Sequence, residues 1–254
     1  MLDNRVSKKI ARGETAWGVM VAWDSPDLVE FFGYLGFDWI FIDAEHGVIG
    51  PDACVGLVRA CNVSGLTPIV RVPDKSQGTI LRYLETGVIG VIVPHTNTAA
   101  DARAAVDAIK YSPLGKRGAG STTRAANFGL TQTPPEYFRR ANAETMVLAL
   151  VEEAQGLRNL DEILAVEGID SVGIGPGDLA MTMGLPGQAS HPDVRTLVLD
   201  AEARVVAAGR IMDSVVRDAA EAREVASRGS RLIAIPALSL LGSAGRAFLA
   251  EVKK

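Results

Sequence analysis

Residues 41–47 read FIDAEHG, so Asp43, Glu45 and His46 follow directly on the apolar run Trp39-Ile40-Phe41-Ile42. A carboxylate beside an imidazole is equipment for proton transfer, because a carboxylate holding one ring nitrogen makes the other a better base. The plainer reading is a polar turn after a strand. Arg71 interrupts the apolar stretch PIVRV. A charge there needs an anion, either a fixed carboxylate or an acidic substrate, and the arginine fork suits both. Glu152 ends the run MVLALVE, and Asp178 closes SVGIGPGD. Two carboxylates with water are what a divalent, oxygen-loving cation such as Mg²⁺ or Mn²⁺ accepts. Glu152 could instead cap the helix that follows it or pair with an arginine.

These groups need elements to bring them together. Short β-rich runs at 16–22, 38–43, 68–72, 88–94, 146–152, 171–175, 211–216 and 231–235 alternate with helical patterns. Several runs are almost continuously apolar, as in strands buried on both faces of a parallel sheet. Helical spacing appears over 26–35, from Pro51 onward, and over 101–110, 155–166, 193–208 and 217–228. Strand–helix alternation repeated eight times in 254 residues predicts one α/β domain spanning 1–254, a (β/α)₈ TIM barrel. The alternative, a doubly wound sheet, would want a glycine-rich turn after its first strand, and GVMVAWDSPD has none. The longest connection, 111–145, contains GKRGAGSTTR and reads as a long irregular segment of functional or disordered character.

A barrel carries its active site at the C-terminal ends of the strands. That rule gathers Asp43, Glu45 and His46 after the second strand, Arg71 on the third, His95 after the fourth, Glu152 and Glu153 after the fifth, and Asp178 after the sixth. Glu152 and Asp178 end neighbouring strands about 4.8 Å apart and can reach a common point. His46 is the candidate base, with a surface histidine as the plain alternative. His95 and His191 have weaker claims, and His191 in SHPD reads as a helix start.

Composition narrows the classes. The net charge is −4 with no long basic block, which argues against nucleic acid. No run of about 18 apolar residues suggests a membrane span, and MLDNRVSKKIARGE lacks the apolar core of a secretory signal. Cys54 and Cys61 fall on one predicted helix about 10 Å apart, too far for a disulfide. They read as reduced core thiols of a cytoplasmic protein. No lysine lies in a predicted strand, which disfavours a Schiff base. The last two strand ends lack the glycines of a phosphate site.

The ordered set GFDWIFIDAEHG, PIVRV, YSPLGKRGAGS, LALVEEAQGLRNLDEI and IDSVGIGPGDLAMTMG resembles the HpcH/HpaI family of metal-dependent class II pyruvate aldolases. The resemblance implies a lyase that reversibly cleaves a 4-hydroxy-2-oxo acid to pyruvate, or a close 2-oxo acid, and an aldehyde through an enolate. Related outcomes are oxaloacetate decarboxylation by the same enolate chemistry, or a non-catalytic barrel that binds a small acid. It implies that Glu152 and Asp178 hold Mg²⁺, Mn²⁺ or Co²⁺, that His46 oriented by Asp43 handles the proton, and that Arg71 stabilises the enolate. Gly175, Gly177 and Ser121 would meet the substrate, with Glu45 in support. It also implies a hexamer, a trimer of dimers with exchanged C-terminal helices, and the apolar segment PALSLLGSAGRAFLAEV suits a helix docked on a partner subunit. The sequence departs from relatives at Met20, Leu150, GRIMDSVV (which lacks their glycine) and IAIPALSLL, so the aldehyde stays open.

Overall fold

Each predicted apolar run forms a strand, and the strands pair in chain order, all parallel, until the last meets the first. A computed structural model describes residues 3–253. The strands are β1 (Ala16–Val21), β2 (Trp39–Asp43), β3 (Thr67–Arg71), β4 (Gly90–Val93), β5 (Met146–Val151), β6 (Ser171–Ile174), β7 (Ile211–Val215) and β8 (Leu232–Pro236). Around them run α1 (Arg5–Ala11), α2 (Pro26–Tyr34), α3 (Pro51–Ser64), α4 (Gln77–Leu84), α5 (Ala99–Ile109) and α6 (Pro134–Glu144). The second half adds α7 (Ala154–Arg158), α8 (Leu160–Leu164), α9 (Pro176–Thr182), α10 (Pro192–Ala207), α11 (Ala219–Ser227) and α12 (Ala237–Val252). The (β/α)₈ barrel is therefore the fold, and the doubly wound sheet is not.

Alternation along each strand sorts the side chains into two cores. Val19, Ile40, Ile42, Val70, Val91, Val147 and Val172 face outward and pack under the helices. Trp39, Phe41, Ile69, Ile92, Met146, Leu148 and Leu232 fill the barrel. Val6 of α1 joins this inner set beside Ala16 and Met146 at the strand starts, so α1 closes the N-terminal end. The opposite end is left for polar groups. Cys54 and Cys61 are free and buried in α3.

The connection after α5 is less irregular than expected. It holds a 3₁₀ turn at Arg124–Gly129 and the whole of α6. Glu136 reaches back to the Thr133 N–H at 2.8 Å and fixes the start of α6. The final helix, α12, buries only Ala237. Leu238, Leu241, Phe248, Leu249 and Val252 are exposed along it. Among the described residues no helix is long and apolar enough to cross a membrane.

Candidate active site

The strand register puts Asp43 of β2 directly opposite Arg71 of β3, both turned inward at the C-terminal rim. Arg71 grips Asp43 with both arms, Nε to Oδ1 at 3.1 Å and Nη2 to Oδ2 at 2.8 Å. Its Nε also lies 3.1 Å from Glu45 Oε2, and its guanidinium carbon stands 5.5 Å from the centre of the Phe41 ring. Burial works to lower the Arg71 pKa. The hydrogen bonds to Asp43 and the charges of Asp43, Glu45 and Glu152 outweigh it, so the pKa is raised and the cation is secure. The fixed carboxylate that Arg71 required is thus Asp43, yet Arg71 still lines the cavity.

Asp43 meets His46 through the main chain. Its Oδ1 accepts the backbone N–H groups of Glu45 and His46, both at 3.2 Å. The expected orientation of the imidazole by this carboxylate is not found among the described residues, because both carboxylate oxygens serve Arg71 and Oδ1 also serves the loop. His46 itself stands exposed at the rim.

Glu152 follows β5 and is buried, 2 % exposed. Its Oε1 accepts the backbone N–H of His95 at 2.9 Å. Burial raises the Glu152 pKa; the His95 contacts oppose this, and the charges of Glu45 and Asp178 add to it. Gly175 makes the room Glu152 needs, since a Cβ there would sit 2.6 Å from Glu152 Cβ. The Gly175 N–H is committed to Val151 O at 3.0 Å, while Gly175 itself lines the cavity beside Glu152. Gly177, in the first turn of α9, has no atom within 4 Å of where a Cβ would go and lines the cavity.

That cavity measures about 250 Å³ and joins Arg71, Glu152, Asp178 and Gly177 with Met20, Phe41, Leu150 and Asp213. Ser121 does not belong to it. Its loop is pinned by Arg117 to Glu85 at 2.9 Å and Arg124 to Thr86 O at 2.8 Å. Both anchors lie beyond the C-terminal end of α4, at the face opposite the mouth. Lys110 is buried, but its Nζ is capped by the carbonyls of Asn142 and Thr145 and lies outside the cavity.

His95 is the residue that the sequence underrated. Its φ of 51° is uncommon for a residue with a side chain. That turn sets the ring among three carboxylates. Nδ1 lies 3.0 Å from Glu153 and 3.4 Å from Glu152, and Nε2 lies 3.6 Å from Glu45. The signal was available: His95 ends β4 by the same rule that brought out His46.

The donors fit a divalent cation. Glu152 is a buried carboxylate facing two further negative groups. Glu45 Oε2 has no hydrogen-bond partner among the described residues, its approach to Arg71 being poorly aligned. Ligand atoms of Glu45, His95 and Glu152 lie within 4.8 Å of one another. Glu152 belongs to this set and also to the pair with Asp178.

Carboxylates and an arginine around a small cavity, with histidines at the rim, form the candidate active site at the C-terminal mouth of the barrel. The chain belongs to the HpcH/HpaI aldolase/citrate lyase family, whose model matches residues 17–237. It is 35 % identical over 232 residues to the hydroxypyruvate/pyruvate aldolase of Sagittula stellata, covering 91 % of this chain and 90 % of that one. It is 34 % identical to the 2-keto-3-deoxy-L-rhamnonate aldolase of Klebsiella pneumoniae, covering 92 % and 87 %. A solved HpcH/HpaI-family structure from Burkholderia cenocepacia superposes with a TM-score of 0.92 at 32 % identity, covering 99 % and 100 %. The protein is an enzyme, a carbon–carbon lyase of the aldolase class.

Proposed function

We propose that the enzyme is a divalent-metal aldolase that reversibly cleaves a 4-hydroxy-2-oxo acid to pyruvate, or a close 2-oxo acid, and an aldehyde. The observation that carries this reading is the meeting of Arg71, held by Asp43, with Glu152 and Asp178 around one small cavity. Glu152 and Asp178 hold the cation, which when bound polarises the 2-oxo group. His46 at the rim takes the proton from the hydroxyl on C4. As the C3–C4 bond breaks, negative charge gathers on the 2-oxo oxygen, and Arg71 presents a fixed positive charge to it. Asp43 keeps Arg71 aimed, so little reorganisation is needed as charge develops. Gly177, in the first turn of α9, faces the acid's carboxylate. Run in reverse, the same groups add the 2-oxo acid to an aldehyde.

The names of the relatives support a pyruvate-type donor and hydroxylated products. The exposed apolar side chains of α12 support the exchange of C-terminal helices in a trimer of dimers. We place the enzyme in the cytoplasm, in keeping with two free, buried cysteines.

Metal titration of variants tests the ligand set. Asp178→Ala should weaken Mn²⁺ binding by at least tenfold, and His95→Ala should change it little. The opposite order would move the cation to Glu45, His95 and Glu152. Incubation with oxaloacetate alongside a 4-hydroxy-2-oxo acid separates decarboxylase from aldolase.

A further inference from the structure

The floor of the cavity carries a carboxyl group that the proposed reaction does not use. Asp213 lies on β7, paired with Gly173 of β6 and Leu232 of β8. Leu150 of β5 pairs in turn with Gly173. This row stands two residues below Glu152 and Gly175, so about 6.6 Å deeper in the barrel. Gly173 is what admits the side chain: a Cβ on it would lie 2.4 Å from Asp213 Oδ2. The carboxyl therefore leans across β6 instead of standing clear of it.

Its hydrogen bonding is incomplete. Asp213 Oδ1 accepts the Ser171 hydroxyl at 2.5 Å. No other side chain among the described residues hydrogen-bonds to it, and it lines the cavity beside Met20, Leu150 and Val215. No cation stands near enough to bear on its ionisation. A polar group left part-satisfied in apolar surroundings costs stability unless something completes it. Here the open side is the side that a substrate enters.

We propose that Asp213, seated over Gly173, is a specificity residue that hydrogen-bonds a hydroxyl on the carbon beside the 2-oxo group, so the enzyme prefers a 3-hydroxylated 2-oxo acid to its unsubstituted counterpart. The assignment rests on the aldolase reading above. In the proposed pose the acid lies against Arg71 and Glu152 with the hydroxyl on that carbon directed to the floor and C4 directed to the rim. Either form of the side chain serves: a carboxylate accepts from the hydroxyl, and a carboxyl accepts or donates. Burial pushes the group up to about 7 despite the hydrogen bonds from Ser171 and from its own backbone N–H, so both forms are present near neutrality.

Calorimetric titration of the Mn²⁺-supplemented protein with hydroxypyruvate and with pyruvate tests this without turnover. The wild type should bind hydroxypyruvate more tightly, by about tenfold. Asp213→Ala and Asp213→Leu should bring the two affinities together while leaving pyruvate binding within about threefold. Asp213→Asn, which keeps two polar atoms and the same shape, should retain most of the preference. A purely structural role would instead weaken both acids alike. Melting curves show which variants fold, and the alanine and asparagine variants suffice if leucine disrupts the floor. A preference that is absent in the wild type, or unchanged in the alanine variant, overturns the assignment alone. Binding of neither acid overturns it together with the aldolase reading.

Discussion

Asp43 and Arg71 face each other across β2 and β3 and share two hydrogen bonds, of 3.1 and 2.8 Å. The same carboxylate holds the backbone of the loop that carries Glu45 and His46. One side chain therefore positions both the fixed cation and the backbone of the loop that carries the candidate base. Removing it leaves Arg71 buried with no aligned carboxylate among the described residues, only the misaligned Glu45 and the charge of Glu152. Asp43→Ala should lower stability by on the order of 3 kcal/mol. Asp43→Asn should keep the fold but lower kcat by about 100-fold, with KM changed less. Urea unfolding and steady-state kinetics measure the two effects.

Gly175 and Gly177 stand two residues apart but should fail differently. A methyl at Gly175 collides with Glu152, whereas one at Gly177 meets open cavity. Gly175→Ala should weaken Mn²⁺ binding by tenfold or more. Gly177→Ala should bind the metal normally and raise KM for the 2-oxo acid. Metal titration beside steady-state kinetics separates them.

Asp213 gives a pH dependence whose sign follows from its raised pKa. In the unfolded chain the group titrates near 3.8, and in the folded protein near 7. Between those values the folded state holds more protons, so its stability falls as pH rises through that window. Asp213→Asn never ionises and lacks this loss. The Tm of Asp213→Asn minus that of the wild type should therefore grow from about pH 4 to about pH 7 and then level off. A constant difference would show that Asp213 is not perturbed in this way.

The assembly prediction concerns α12. Phe248 and Leu241 are exposed on a helix that buries only Ala237 against its own barrel. If the proposed hexamer forms through α12, Leu241→Glu with Phe248→Glu should shift the sedimentation of the protein toward smaller species. A hexamer that persists would remove α12 from the interface.

The barrel was legible because most of its strands are nearly uninterrupted apolar runs, and most of the polar residues of the site appear where a run ends. That contrast places Asp43, Arg71, Glu152 and Asp178 at the mouth from sequence alone. It also brings His95 to the mouth but not its ring among the carboxylates, because the position of the ring depends on a left-handed turn and on a backbone hydrogen bond to Glu152. Ser121 lies outside the cavity for a related reason. Where its loop lies is decided by Arg117 and Arg124, which pair with the far end of α4. Asp213 was visible only as a strand lacking a glycine, since the space it fills is opened by Gly173 on the neighbouring strand. Each miss involves two residues distant in sequence. The strand ends needed only local pattern.

The most direct test of the central claim is exchange of pyruvate methyl protons with deuterated water, followed by NMR. With Mg²⁺ or Mn²⁺ the wild type should exchange them well above the buffer rate. Chelation, Glu152→Ala and Asp178→Ala should each return exchange to the buffer rate. Undiminished exchange by the metal-stripped enzyme, or by either variant, would contradict the account.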